Sequence, residues 1–446
     1  MKRRSFLTTS LVPTAIMAET GRNPADAAQK PGVLLSQPVT SLAGMSIREL
    51  RDRYRTDLFD EFLPFMEKHI IDHEYGGFMC NAGPDGTLIS TVKRAGYEGR
   101  GIWVYSYLYN NLAREQRYLD VAVKSAALLL KNKPEGDIMW PSSFDREGNP
   151  SSPPGQSVNA DMYIADGLIE LAAASGDSAY RTQAKDVIMK CLRVYDSPDY
   201  GRDAGRGYVG KDAPETAGTR IMDDWMLFLR AATRMLVHGR DGDMEQLASR
   251  CVDTIMNNFY IPRFDLITEM LRHDHTPFDN DLGQLVNFGN DFQVIWHVMD
   301  EAQRTKNGGL FTTAADRLRR HAEVAWDDVY GGEFTVLRHI DENRWELGKT
   351  HYAQGETING LMQVIEHTGA GWACDLASQV FSYSFDKFPL KQYGYPLWIV
   401  GSDRKVTFRE NTTRIENFHQ PRHLMLTLQS LDRLVERRGK TSGIFG

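Results

Sequence analysis

Asp72-His73-Glu74-Tyr75-Gly76-Gly77-Phe78 and Asp327-Asp328-Val329-Tyr330-Gly331-Gly332-Glu333 carry the same Asp-x-x-Tyr-Gly-Gly pattern at two distant places in a chain of 446 residues. Each follows a stretch of helical periodicity and precedes a short run of β-type residues. The paired glycines permit positive φ at a helix-to-strand bend. Asp199-Tyr200-Gly201 reads as a diverged third copy. A local unit used more than once marks a repeat architecture, and it directs the reading of the chain between the copies.

Outward from these turns, apolar periodicity predicts helices over 46–70, 95–113, 116–131, 160–175, 178–195, 217–237, 242–258, 290–306, 312–326, 351–368, 371–386 and 418–437. The twelve pair into six hairpins. The junctions Ser175-Gly176-Asp177-Ser178, Gly239-Arg240-Asp241-Gly242 and Gly369-Ala370-Gly371-Trp372 look alike. In each, Gly closes one helix and a polar or small residue opens the next. Ala113-Arg114-Glu115-Gln116 has the same place without the Gly. No segment shows long strand alternation, which disfavours an α/β fold. The expected class is all-α. Six hairpins either stack as an open solenoid or close into an (α/α)6 barrel, a toroid with a pocket formed by loops at one end. A small hairpin is expected within 387–417, around Lys405-Val406-Thr407-Phe408.

The formal net charge is −7, which gives no support for a nucleic-acid partner or an anionic membrane surface. Residues 1–27 read as a twin-arginine export signal: Arg3-Arg4-x-Phe6-Leu7, a modestly apolar Leu11 to Ala18, and small residues at Ala25-Asp26-Ala27-Ala28. That apolar stretch is too short and too broken by Pro13 to span a bilayer. The expected organisation is signal 1–27, linker 28–44 and one domain over 45–440, working in the periplasm or outside the cell, with no membrane partner in the mature form. The alternative for the N-terminus is a disordered basic start. Cys80, Cys191, Cys251 and Cys374 form no C-x-x-C pair, so thiolate metal binding is not expected. His273-Asp274-His275 is a tempting metal triplet but reads as a loop, and no metal is assigned.

Polar side chains on otherwise apolar helix faces mark the candidate site. Tyr97, Arg100, Trp103 and Tyr107 fall on one stripe. A buried Arg100 needs a partner: a sugar hydroxyl, a carboxylate, or simply loop carbonyls. Lys349-Thr350-His351-Tyr352-Ala353-Gln354-Gly355-Glu356 opens a helix. The helix dipole disfavours a charged His351 there, and a neutral imidazole is a base near pH 7. The competing reading is a capping cluster. The same argument applies to His419 in Asn417-Phe418-His419-Gln420-Pro421-Arg422, and Asn290, Gln293 and His297 share a face of the helix opened by Asn287.

At these residues the chain resembles the N-acylglucosamine 2-epimerase family. Gly76-Gly77-Phe78, Asp85-Gly86, Lys93 and Gly99-Arg100-x-x-Trp103 follow one block in order. Trp326-Asp327-x-x-x-Gly331-Gly332 is similar to a second. Lys349-x-His351-Tyr352-x-x-x-Glu356 resembles the Lys-x-Trp-Trp-x-x-x-Glu block, and Phe418-His419-x-Pro421-Arg422 the Phe-His-x-Pro-Arg block. The resemblance runs from about residue 46 to residue 437. It implies an (α/α)6 barrel and an isomerase that moves the C2 proton of a free, ring-opened sugar through an enediolate. It makes His419 one catalytic base and Arg100 the cation on the developing oxyanion. Tyr97, Trp103, Asn290, Gln293, Lys349, Gln354 and Glu356 are the expected sugar contacts. One block departs: the family's Pro-Gly-His-x-x-Glu reads Phe288-Gly289-Asn290-Asp291-Phe292-Gln293. Asn cannot take a proton near neutral pH, and His351 is the expected substitute base. No cofactor is expected, and a homodimer is left open. Two other readings stay open. One is a sugar-binding homologue without catalysis. The other is hydrolase or lyase chemistry by Glu356 with Asp161 or Asp223.

Overall fold

The computed structural model describes residues 38–201, 218–389 and 414–445. The export signal assigned to 1–27 and the hairpin expected around Lys405–Phe408 lie outside the described residues. The helices are α1 (Ile47–Thr56) continuing through a π turn into α2 (Leu63–His69), α3 (Ala95–Asn111), α4 (Gln116–Leu130), α5 (Asn159–Ser175), α6 (Ser178–Tyr195), α7 (Met222–Val237), α8 (Gly242–Asp253), α9 (Phe288–Arg304), α10 (Gly308–Ala325), α11 (His351–Thr368), α12 (Gly371–Lys387) and α13 (His419–Glu436). Strands are two to four residues long and form antiparallel pairs or a triplet among the described residues, three of the pairings joining segments about 50 residues apart.

Two kinds of helix alternate, and this alternation builds the barrel. In α10 the buried residues are Phe311, Ala314, Ala315, Leu318, His321, Ala322 and Ala325, a single stripe at spacings of three and four. In α7 nearly every residue from Met222 to Leu236 is buried. A helix apolar on every side must be surrounded. Accordingly α3, α5, α7, α9, α11 and α13 pack each on the next as an inner ring, while α4, α6, α8, α10, α12 and α1–α2 cover them. The ring closes where α13 meets α3: Trp103 lies edge-on to Phe418 at 5.7 Å, and the Tyr107 hydroxyl donates to Gln429 Oε1 at 2.5 Å. This is the (α/α)6 barrel, and closure excludes the open solenoid.

The junctions follow the sequence logic. Asp177 caps α6 by accepting from the Ala179 amide at 2.9 Å, after Gly176 has ended α5 at φ 74°. Two helix starts differ from expectation. α7 begins at Met222 and not near 217, because Arg220–Ile221 pairs as a strand with Met270–Leu271. α10 begins at Gly308 and not 312, because Asn307 accepts from the Leu310 amide at 3.0 Å and so initiates the helix across two glycines. The linker assigned to 28–44 also needs correction. Ser41–Leu42 pairs with Met45–Ser46, Val39 and Leu42 are buried, and the Val39 amide donates to the Gly439 carbonyl. The domain therefore starts by residue 38. It runs past 440, since Phe445 packs edge-on to Phe311.

The Asp-x-x-Tyr-Gly-Gly copies are the same corner built twice. Asp72 Oδ1 accepts from the amides of Glu74 and Tyr75; Asp327 Oδ1 accepts from those of Val329 and Tyr330. A buried lysine ties each corner shut. Lys93 Nζ donates to Asp72 Oδ2 (3.0 Å) and the Gly76 carbonyl (2.5 Å), and Lys349 Nζ to Asp327 Oδ2 (2.5 Å) and the Gly331 carbonyl (2.6 Å). Gly77 has φ 85°, and a Cβ there would meet Glu98 Oε2 at 2.4 Å, so only glycine fits. In the diverged copy Gly201 also takes positive φ, at 73°.

Candidate active site

Polar side chains gather where the N-terminal ends of the inner helices come together. His419 is the first residue of α13 and Glu356 lies in the second turn of the neighbouring α11. His419 Nδ1 is 2.9 Å from Glu356 Oε1, and Arg422, one turn along α13, donates to the same oxygen. Trp296 of α9 donates its indole N–H to Glu356 Oε2 at 2.9 Å, and Asn359 Nδ2 approaches that oxygen at 3.4 Å. Four side chains from three helices thus converge on one buried carboxylate.

The electrostatics assign the protons. Burial alone would raise the Glu356 pKa, but Arg422 and His419 outweigh it and hold the carboxyl far below the ordinary carboxylate range. An ionised carboxylate only accepts, so His419 Nδ1 carries the proton and Nε2 holds the lone pair. The 3.1 Å approach of Arg422 Nη2 to Nδ1 is then two donors sharing one acceptor. Burial lowers the His419 pKa, against the opposing pull of Glu356, so the ring is neutral at pH 7. The result is a neutral imidazole, oriented by a carboxylate, with Nε2 available as a base.

Arg100 sits across from this pair on α3. The guanidinium carbon lies 4.0 Å above the Tyr163 ring and 5.3 Å from that of Phe418. α3 and α5 approach this closely because Gly99 lacks a side chain; a Cβ there would lie 2.5 Å from the backbone of Tyr163 and Ile164. Burial opposes the charge on Arg100, but Tyr163 and Glu416 beside it more than compensate and raise its pKa. Its Nε has no hydrogen-bond partner among the described residues. A half-buried cation with a spare Nε–H suits a developing oxyanion.

The other expected contacts divide. Tyr97 lies beside Arg100, its carbonyl accepting from Asn417 Nδ2 at 2.9 Å and its hydroxyl from Arg414. Trp103 is buried one turn below Arg100, stacked on Tyr107, with its indole N–H unpaired among the described residues. Asn290 donates to Glu269 Oε1 at 3.0 Å, and Gln293 donates to Met226 Sδ at 3.3 Å. Lys349 is bonded within its corner, and Gln354 accepts from the Glu333 amide and donates to the Glu333 carbonyl, both at 3.0 Å. These two side chains hold the backbone under the site. His351 is buried against Phe388 (5.3 Å) and His423 (6.4 Å), and burial pushes its pKa well down. The ring facing His419 belongs to its neighbour Tyr352, at 5.2 Å.

Asp161 is occupied by Lys190 Nζ (2.6 Å) and the Trp140 amide (3.1 Å). Asp223 accepts from Asn159 Nδ2 at 3.1 Å, with Arg100 and Arg422 as its nearest cationic influences. His273 and His275 bond separate partners, Arg220 and Asn258. Sequence reasoning assigned no role to Arg422, Tyr352 or Trp296. Arg422 could have been found, since it is one turn from His419 on the same face. Tyr352 was hidden by the choice of its histidine neighbour.

Known proteins share this fold and several of its sequence blocks. The N-acylglucosamine 2-epimerase (GlcNAc 2-epimerase) family model matches residues 76–418. The N-acylglucosamine 2-epimerase of Bos taurus is 22% identical over 413 residues, covering 90% of this chain and 95% of its own length. The solved structure of cellobiose 2-epimerase from Spirochaeta thermophila superimposes with a TM-score of 0.72 at 15% identity, covering 87% of this chain and 98% of that one. That of a D-mannose isomerase gives 0.70 at 12% identity, covering 85% and 97%. Sequence blocks, barrel and the match over most of its length place the chain in the N-acylglucosamine 2-epimerase family of sugar epimerases and isomerases.

Proposed function

We propose that the protein moves the C2 proton of a free, ring-opened sugar through an enediolate. The observation that carries this reading is the neutral His419 whose Nδ1–H is engaged by ionised Glu356. His419 Nε2 takes the C2 proton, and Arg100 balances the charge that develops on the sugar oxygen. Tyr97, half-buried beside Arg100, offers aromatic surface to the sugar, and the buried Trp103 supports Phe418 behind it. Expected in test: in D2O the purified protein places deuterium at C2 or C1 of one member of a panel of free mono- and disaccharides. No exchange with any sugar, alongside sugar-induced thermal stabilisation, would leave a binding protein. Release of reducing ends from an oligosaccharide would favour hydrolysis.

Asn290 favours aldose–ketose isomerisation over epimerisation. Epimerisation delivers the proton to the opposite face of C2 and requires a second acid/base group. Isomerisation returns it to C1, which one base on one face can do. With Asn290 bonded to Glu269 and His351 packed on Phe388, His419 serves both carbon-bound proton transfers of the second route, while the hydroxyl proton passes from O2 to O1 within the enediolate. NMR of the product as ketose or C2 epimer decides between them. Export is proposed from Arg3-Arg4-x-Phe6-Leu7 and is tested by fractionating cells that express the full chain with Arg3 and Arg4 replaced by Lys.

A further inference from the structure

Behind Glu356 the barrel holds a second cavity. It measures about 310 Å³ and lies among the C-terminal halves of the inner helices, lined by Tyr107, Arg234, Asp300, Asn359, Gln363 and Gln429 among others. Its polar groups are set in place by bonds to one another. Ser442 Oγ meets His367 Nδ1 at 2.7 Å, and His367 Nε2 meets Gln303 Oε1 at 3.0 Å. Gln303 Nε2 donates to Gln363 Oε1 at 2.9 Å, and Gln363 Nε2 donates to Asp300 Oδ1 at 2.9 Å. The string ends on a carboxylate facing the cavity.

The charges define what fits. The arginines around the cavity are already neutralised: Arg234 by Glu170, Arg433 by Glu366 and Arg304 by Glu301 and Glu245. An anion would find no free cation among these groups. What remains is a mixed set of hydroxyl-recognising atoms. Asp300 is an acceptor, and so is Asn359 Oδ1, which is buried without a hydrogen-bond partner among the described residues. Gln429, whose oxygen takes the Tyr107 hydroxyl, presents its amide NH2 as a donor. The volume lies at the low end of the roughly 300–1,000 Å³ of small-molecule pockets, which favours one ring over two.

We propose that this rear cavity is a second binding site, for a neutral monosaccharide-sized polyol held chiefly by Asp300, Asn359 and Gln429. The site is coupled to the catalytic pair. Trp296 and Asn359 line it and also bond Glu356 Oε2, while His419 and Arg422 bond the other oxygen of the same carboxylate. A polyol on Asn359 therefore acts on Glu356 through one side chain.

The test measures binding and needs no turnover. D-Mannose and D-glucitol are titrated calorimetrically into the full chain, into Arg100→Met at the front, and into Asp300→Asn and Gln429→Ala at the rear, each checked for folding by circular dichroism. D-Glucitol has no carbonyl, so its binding is independent of the isomerase reading. Expected are binding by the wild type that survives Arg100→Met, and a loss of about tenfold or more in affinity in both rear variants. Loss of all binding in Arg100→Met, rear variants that bind like the wild type, or a wild type that binds neither probe would each overturn the rear site.

Discussion

The corner before α3 and the corner before α11 have the same scaffold and opposite chemistry. Each has an aspartate closing an Asp-x-x-Tyr-Gly-Gly turn and a buried lysine tied to that aspartate and to a glycine carbonyl. Five residues after the lysine, Glu98 accepts from the Phe78 amide as Gln354 accepts from that of Glu333. Seven residues after the lysine stand Arg100 in one copy and Glu356 in the other. The repeat thus delivers one side chain to the site from each corner, and a change of residue at that place makes one a cation and the other an anion. Scaffold and chemistry occupy separate positions within a single turn.

This comparison can be broken at either level. Glu356→Ala should have the largest effect. It leaves Arg422 buried without its carboxylate, at a cost of about 3–5 kcal/mol in urea denaturation, and it removes the orientation of His419, so deuterium exchange should fall below detection. Lys349→Met should destabilise by about 3–5 kcal/mol, because it strands the buried Asp327, and Lys93→Met by less, because Arg146 still pairs with Asp72 at 3.0 Å. If Lys349→Met instead lost activity at unchanged stability, Lys349 would be a sugar contact and the equivalence of the two corners would fail. Arg100→Met should lower kcat by about 10²–10³-fold with the fold intact, measured by circular dichroism and exchange rate.

Glu98→Gln should have the smallest effect, within about 1 kcal/mol at pH 5, since it converts one corner into the other. Its signature is in pH. Burial raises the Glu98 pKa to about 8, so the folded protein keeps a proton that the unfolded chain releases near 4.5. Between those values the folded state binds more protons, so stability falls as pH rises. The Gln variant removes that contribution, and its advantage over the wild type should grow from pH 5 to pH 8. Equal slopes of stability against pH in the two proteins would show that Glu98 is ionised and unlike Gln354.

Much of this was legible in the chain itself. Helical periodicity located the helices to within a few residues, save the starts of α7 and α10, and caps such as Asp177 and Gly369 did the rest, because both depend on neighbours a few positions away. The start of α7 was misplaced because a strand pairing 50 residues distant competes for Arg220 and Ile221. The short apolar residues Val39 and Leu42 read as linker because their partners are at the other end of the chain.

The amino-acid sequence by itself determined the hairpins, the repeated corner and the residue types available: a histidine and an arginine at the start of α13, an arginine on α3, a glutamate on α11. Only the tertiary structure decided what they do. Lys349, Gln354 and Glu356 lie within eight residues, yet two support the backbone and one holds the His419 ring. That division depends on which neighbour each side chain meets. Lys349 and Gln354 meet the corner 22 and 21 residues back, whereas Glu356 meets Trp296 and His419, 60 and 63 residues away and brought to it when the ring closes.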